Sequence, residues 1–147
     1  MKKYIIVVIV VTLTVIILKP SKMYLTDKYY SEGKFIENID ISTLKNENYI
    51  LYTYNPYCSF ETPCEDIFKA FMLKNKIDII SLPFSKFKET YLYSKIKYAP
   101  SIIIVKKRKV VAYLDANSDK DTKKYQDEKS FETWVKKYVY LNKNITK

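Results

Sequence analysis

The chain has no histidine, a single glycine and only two cysteines among its 147 residues. Without histidine it cannot form a histidine-based catalytic triad or an imidazole metal site. One glycine, Gly33, leaves no glycine-rich loop to cradle a phosphate group. Two cysteines alone make a poor zinc site, so we expect neither a metal nor another cofactor. If the chain carries out chemistry, its thiols are the groups that perform it.

The N-terminus has the layout of an export signal. Lys2 and Lys3 precede an apolar run over residues 4–18, which ends at Lys19 and Pro20. The run is shorter than the roughly 20 residues that span a bilayer core, although flanking lysines can extend its reach. No small-residue cleavage site follows, so we predict an uncleaved signal anchor, with a cleaved signal peptide as the alternative. The C-terminal part of this single-pass membrane protein is then predicted to be extracytoplasmic.

Basic side chains dominate the charge, since 26 lysines and arginines against 16 acidic residues give a net charge of +10. Such a surface attracts anionic lipid headgroups or an anionic cell wall. The densest basic cluster, residues 106–109, lies between two apolar runs, which indicates a solvated hairpin turn. The same cluster could be read as a nucleic-acid patch, but an exported protein has no nucleic acid to meet.

The rest of the chain is long enough for one ordinary domain. We predict a linker over residues 19–34, a domain over 35–141 and a polar tail over 142–147. Strands are predicted over residues 35–41, 49–54, 77–82, 102–105 and 110–114, and helices from residue 64, over 85–97 and around 131–139. Residues 115–129 are predicted to form a charged loop. Helices on both faces of a central mixed sheet make an α/β three-layer sandwich.

The two cysteines lie between the second predicted strand and the helix that follows it. Thr62 at N-cap, Pro63 at N1 and Glu65 at N3 form a predicted capping box, which places Cys64 at N2. A thiol there faces unpaired backbone N–H groups and the positive end of the helix dipole, and both stabilise a thiolate. In an exported protein a Cys58–Cys64 disulfide can persist, either as a brace or as a redox couple.

These residues resemble motifs of the thioredoxin superfamily over about residues 35–140. Tyr57-Cys58 is similar to the aromatic–cysteine pair that follows the family's central strand, and Pro63-Cys64 to the Pro-Cys that opens its long helix. Ala99-Pro100-Ser101 resembles the family's cis-proline loop. Among its members, the chain is similar to small membrane-anchored thioredoxin-like proteins of Gram-positive bacteria, including bacteriocin transport accessory proteins.

The resemblance implies thiol–disulfide exchange on exported proteins or peptides, with Cys58 and Cys64 as the catalytic pair. It also implies that the substrate binds along Tyr57 and the Ala99-Pro100-Ser101 loop. The membrane, and an electron donor within it, are the other expected partners.

The chain departs from the family pattern at the cysteines. Five residues separate them, whereas family oxidoreductases have two. Either Glu61 stands in the nucleophile's place, or Cys58 is the nucleophile in a longer loop. The strand before the motif carries no acid, so Glu61 or Glu65 is the predicted proton-transfer group.

Two further functions stay open on the sequence. A non-catalytic thioredoxin-fold accessory or binding protein, for instance in bacteriocin export or immunity, would use Cys58–Cys64 as a structural disulfide. A peroxide-reducing enzyme would show cysteine-dependent consumption of peroxide. Replacing either cysteine with serine should abolish exchange in an oxidoreductase and only lower stability in an accessory protein.

Overall fold

In the computed structural model of the protein, residues 21–55 and 63–142 are described. The strands are β1 (Phe35–Ile36), β2 (Asn48–Tyr54), β3 (Ile79–Pro83), β4 (Ser101–Lys106) and β5 (Lys109–Asp115). The helices are α1 (Cys64–Asn75), α2 (Phe84–Phe87), α3 (Asp119–Gln126) and α4 (Glu128–Val135). Short 3₁₀ turns cover Asp27–Tyr29, Ile41–Thr43 and Tyr91–Ser94.

The strands form one mixed sheet in the order β1-β3-β2-β4-β5. β1 and β2 both pair with β3 in parallel, while β4 pairs antiparallel with β2 and with β5. β2 is the central strand, with β3 and β4 on its two sides. The aromatic and apolar sequence of β2 and the β-branched sequence of β4 suit strands that are covered on both faces. The predicted central mixed sheet is confirmed.

Helical segments cover both faces of the sheet. Successive residues of a strand point to opposite faces, and on β2 the ring of Tyr52 lies 5.0 Å from that of Phe68 in α1. Tyr49, on the other face, has its hydroxyl 3.2 Å from that of Tyr91. α4 packs on α1 through Phe131, whose ring centroid is 4.7 Å from that of Phe68. The three-layer arrangement predicted from the sequence is therefore present.

The β4–β5 hairpin has the predicted position and a two-residue turn. Lys107 and Arg108 adopt positive φ angles of 45° and 67°, as a type I′ turn requires of both its central residues. The side chains of residues 106–109 are all exposed. The basic cluster is thus a solvated hairpin turn, as predicted.

Two predicted elements are shorter than expected. The strand predicted over residues 35–41 comprises only Phe35–Ile36, because Asn38 takes a positive φ of 59° that turns the chain away from the sheet. The helix predicted over residues 85–97 divides into α2 and the 3₁₀ turn Tyr91–Ser94. α2 ends at Phe87. The carbonyl oxygen of Phe87 accepts hydrogen bonds from both the N–H and the hydroxyl of Thr90, so it does not continue a helical hydrogen-bond pattern.

The segment predicted as a charged loop, residues 115–129, instead contains α3 and the start of α4, so that prediction is wrong. α3 carries one fully buried side chain, Tyr125, which packs with its ring 5.9 Å from that of Phe68. A surface helix with a single anchoring residue shows no apolar periodicity, which is why the sequence pattern did not reveal it.

Residues 21–34, predicted as part of a linker, pack on the domain. Met23, Leu25 and Tyr29 are buried, and Met23 forms a parallel bridge with Val139. We call residues 23–30 the N-terminal strap. Within the described residues no helix is long and apolar enough to cross a membrane, and the anchor predicted over 1–18 lies outside them.

Gly33, three residues after the strap, has a conformation that suits glycine. Its φ is 83°, and a Cβ added there would overlap with the carbonyl oxygen of Met72. Its N–H and that of Lys34 both donate to one carboxylate oxygen of buried Asp78, at 2.9 and 3.0 Å. The single glycine of the chain therefore lets the segment after the strap lie directly against the end of α1.

Candidate functional site

The candidate site lies at the edge of the sheet where β2 ends and β4 begins. Thr53 near the end of β2 pairs with Ser101 at the start of β4. The next described element after β2 is the helix α1, which begins with Cys64. The ends of parallel strands and the start of the following helix meet at such an edge, which is where α/β sheets commonly carry their functional groups.

The start of α1 differs by one residue from the predicted capping box. Pro63 has a non-helical ψ of 117° and is the N-cap, so Cys64 is the first helical residue rather than the second. The Pro63 carbonyl accepts a hydrogen bond from the N–H of Asp66 at 3.0 Å. Cys64 nevertheless stays in the first turn, where backbone N–H groups and the helix dipole favour a thiolate.

Cys64 is 3% exposed, and its Sγ lies 3.4 Å from the hydroxyl oxygen of Tyr52. Tyr52 is also 3% exposed and packs between the rings of Phe35 and Phe68, with centroid distances of 5.7 and 5.0 Å. β2 carries no acid, and the polar group that it presents to the sulfur is a tyrosine hydroxyl, which the sequence did not predict. The sequence held one signal for this role. Side chains alternate between the two faces of β2, so Tyr52 could have been assigned to the face that packs on α1.

The peptide bond between Ala99 and Pro100 is cis, as the resemblance implied. Pro100 is buried and Ala99 is partly exposed. The hydroxyl of Ser101 donates to the carbonyl oxygen of Tyr98 at 2.9 Å and is fully buried. Ser101 thus fixes the shape of the loop from inside, and Ala99 is the loop residue more open to a ligand. Their predicted role in binding substrate stays a prediction.

Tyr125 links the proline loop to α1 and was not predicted as a site residue. Its hydroxyl donates to the carbonyl oxygen of Leu114 at 2.8 Å and lies 3.4 Å from that of Pro100. Burial raises the pKa of Tyr125 well above its ordinary value, and the charge of nearby Cys64 raises that pKa further. A hydrogen bond with the backbone of Ile102 acts in the opposite direction and lowers it. A neutral phenol therefore lies between the loop and the sulfur.

Glu65, one of the two predicted proton-transfer groups, faces outward on α1. Its carboxylate lies 3.4 Å from the ammonium of Lys69 one turn later, and both side chains are about half exposed. The ion pair holds the carboxylate beside a lysine, so Glu65 has its own partner at the helix surface. Tyr57, Cys58 and Glu61 lie outside the described residues, and the predictions made for them stay predictions. Within 21–55 and 63–142, no three histidine, cysteine or acidic side chains cluster as metal ligands would.

The fold is similar to that of a solved thioredoxin. A point mutant of thioredoxin from Halobacterium salinarum NRC-1 is 12% identical with a TM-score of 0.55, over 77% of this chain and 97% of that one. Thioredoxin f from spinach chloroplast is 18% identical with a TM-score of 0.45, over 75% of this chain and all of that one. No family model and no curated protein sequence matches the chain. The similarity to the Halobacterium protein establishes a thioredoxin-like fold.

Proposed function

We propose that the protein is a membrane-anchored, extracytoplasmic thiol–disulfide exchange protein that acts on exported polypeptides. The observation that carries the proposal is the presence of Cys64 and the cis Ala99–Pro100 bond at one edge of a thioredoxin-like sheet. The anchor over residues 1–18 and the extracytoplasmic location are part of the proposal and rest on the sequence.

In the proposed reaction, the thiolate of Cys58 attacks one sulfur of a substrate disulfide. That S–S bond breaks, the other substrate sulfur leaves as a thiolate, and a mixed disulfide forms. The thiolate of Cys64 then attacks Cys58, which releases the substrate reduced and leaves Cys58–Cys64 oxidised. A dithiol donor in the membrane returns two electrons by the same chemistry. Run in reverse, these steps oxidise a substrate dithiol.

The burial of Cys64 supports its role in the second step. A sulfur that is 3% exposed is poorly placed to meet an incoming substrate, but it can attack a mixed disulfide that has formed on its neighbour. The hydroxyl of Tyr52, 3.4 Å away, can donate a hydrogen bond to the Cys64 thiolate and take part in its protonation. An extended substrate would pair with the backbone of the loop at Ala99, as strands do when they add to a sheet edge.

The test is the reduction potential of the cysteine pair in the full chain. The protein is equilibrated with glutathione buffers, alkylated, and its thiols are counted by mass. A reversible couple between about −120 and −270 mV is expected of a working oxidoreductase. Cys58→Ser and Cys64→Ser should each abolish the reduction of insulin disulfides, whereas Ser59→Ala, which leaves both thiols in place, should retain it.

A second function is a non-catalytic accessory or binding protein, as in bacteriocin export or immunity, with Cys58–Cys64 as a brace. The near-complete burial of Cys64 favours it, because structural sulfurs are the inaccessible ones. In that case the bridge would have a potential below about −300 mV. Serine variants would then unfold at lower temperature and keep partner binding.

A further inference from the structure

An aromatic and basic surface lies at the end of the sheet opposite the cysteine site. We call it the tether surface and define it as Lys22, Tyr24 and Tyr140 together with the hairpin-turn residues Lys106, Lys107, Arg108 and Lys109. Cys64 and Pro100 lie where β2 ends and β4 begins, whereas these residues lie where β2 begins and β4 ends.

The two halves of the tether surface are joined through Asn48, the first residue of β2. Its side-chain N–H donates to the carbonyl oxygen of Tyr24 at 2.9 Å, and the residue pairs with Lys106 in the sheet. The N–H of Lys107 donates to the carbonyl oxygen of Glu47 at 3.0 Å. The strap and the hairpin turn are therefore neighbours on one continuous surface.

Two tyrosine rings stand exposed on this surface. Tyr24 and Tyr140 are 45% and 41% exposed, and their rings stack with centroids 4.6 Å apart. The ammonium of Lys22 lies 5.6 Å from the centre of the Tyr140 ring. Stacked tyrosines with a polar tip beside lysines are the side chains that favour the headgroup layer of a bilayer.

The charge of the tether surface is not neutralised by ion pairs. Among the described residues, Lys22 and the four basic residues of the hairpin turn form none. Glu47 adjoins the hairpin turn through its backbone carbonyl, but its carboxylate is already bound by Lys28 at 2.8 Å and by the hydroxyl of Tyr29 at 2.5 Å. This excess of positive charge complements an anionic surface.

The chain enters the domain at this surface. Residues 19–22 connect the apolar run 4–18 to Lys22, and four extended residues reach at most about 14 Å. The headgroup layer takes up about 6 Å of that distance. If the run is anchored, the tether surface lies within roughly one Debye length of the lipid charges, which is about 8 Å at physiological ionic strength.

We propose that the tether surface binds the anionic phospholipid headgroups of the bilayer that holds the chain, and that the cysteine edge thereby points away from the membrane. This inference rests on the anchor in the proposed function. Beyond the anchor, the proposal specifies which face of the domain contacts the membrane, and that this face recognises negatively charged lipids.

The test uses the full chain in vesicles, with Trp134, the only tryptophan, as donor and a dansyl-labelled headgroup lipid as acceptor. Trp134 contacts Tyr138 with ring centroids 5.6 Å apart, two positions before Tyr140. We expect higher energy transfer in vesicles of phosphatidylcholine with phosphatidylglycerol than in phosphatidylcholine alone. The difference should disappear in about 1 M salt, where the Debye length is about 3 Å.

Two triple variants of equal charge change make the comparison specific. Lys106→Gln/Lys107→Gln/Lys109→Gln should lose most of the phosphatidylglycerol-dependent difference. Lys95→Gln/Lys120→Gln/Lys123→Gln removes exposed lysines elsewhere on the domain and should keep it. Equal losses in both variants, or no lipid dependence in the wild type, would overturn the docking proposal.

Extraction with alkaline carbonate separates failure of docking from failure of the anchor. A chain that stays in the vesicles but shows no lipid-dependent transfer refutes the docking alone. A chain that is extracted refutes the anchor, and the docking proposal falls with it. The thiol measurements under the proposed function are independent of both outcomes.

Discussion

Tyr52 places a hydroxyl, rather than a carboxylate, against the buried sulfur of Cys64. A phenol can stabilise a thiolate by donating a hydrogen bond, yet it brings no negative charge of its own into the core. This fits a site in which burial already disfavours charge, since an additional buried carboxylate would raise the cost of ionising the thiol.

Tyr52→Phe should raise the pKa of the Cys64 thiol by about one to two units. Hydrogen bonds to charged groups are worth about 1.5–3 kcal/mol, and 1.36 kcal/mol corresponds to one pKa unit. The pH dependence of iodoacetamide alkylation, followed by peptide mass on the reduced protein, measures this. Tyr54→Phe is the control, because Tyr54 lies beside Tyr52 with ring centroids 5.9 Å apart. An unchanged Cys64 profile in Tyr52→Phe would show that the hydroxyl has no influence on the thiolate.

Gly33→Ala should lower the free energy of unfolding by more than about 2 kcal/mol. The positive φ alone costs a residue with a Cβ about 1–2 kcal/mol, and the contact with the Met72 carbonyl adds to this. The matched control is the difference between Asn38→Gly and Asn38→Ala, which adds a Cβ at another positive φ, 59°, where the residue is exposed. Urea unfolding measures all three variants. Equal losses would mean that the close approach to Met72 contributes nothing.

Among the helices, α1 and α4 are joined by a charged clamp centred on Glu132. Its side chain is 10% exposed, with one oxygen 2.6 Å from Lys74 Nζ of α1 and the other paired with Lys136. These hydrogen bonds, from Lys136 first and Lys74 second, hold the pKa of Glu132 below its ordinary value of 4.5. The clamp therefore requires the ionised carboxylate.

Glu132→Gln should destabilise the domain by about 1 kcal/mol at neutral pH. Because the pKa is lowered in the folded state, this stabilisation is present above the unfolded-state pKa and is lost as the pH falls through the folded-state value. Wild type and variant should converge in urea unfolding near pH 3. Glu128→Gln should matter less, since Glu128 is 35% exposed and 3.5 Å from Lys74. A difference that persists unchanged in acid would argue against the clamp.

The sequence predicted the central elements well and the peripheral ones poorly, for a physical reason. β2, β4 and α1 bury regular apolar patterns, so periodicity identified them. The family resemblance, rather than periodicity, predicted that Pro100 lies beside the cysteine site. α3 buries Tyr125 alone, and its only sequence signal was charge order, with Asp119 and Asp121 in its first turn and lysines in its last. Tyr52 and Tyr125 were missed as site residues because their roles come from packing.

The complete domain includes the N-terminal strap as a structural part. Met23, Leu25 and Tyr29 are buried, the N–H of Thr26 donates to the carbonyl of Asn48, and the hydroxyl of Tyr30 donates to the carbonyl of Tyr140. No apolar period marks this segment, since irregular backbone presents its buried residues at uneven spacing. This explains why the pattern indicated a linker.

A chain that begins at residue 31 should therefore fail to fold cooperatively, whereas one that begins at residue 20 should fold. Burying a large apolar side chain contributes about 1.5–3 kcal/mol, so losing three of them removes an amount comparable with the whole stability of a small domain, about 5–15 kcal/mol. Near-ultraviolet circular dichroism and a urea transition distinguish the two. A sharp transition in the shorter chain would mean that the strap is dispensable.

The bridge between Met23 and Val139 also determines how the domain would respond to a pulling force. Its two segments run parallel, so opposite pulls on residues 22 and 142 would draw them past each other lengthwise. The hydrogen bonds from Met23 N–H to the Tyr138 carbonyl and from Tyr140 N–H to the Met23 carbonyl would then be loaded together in shear. Tension between the two chain ends would be borne at this seam, while the central sheet carried little of it.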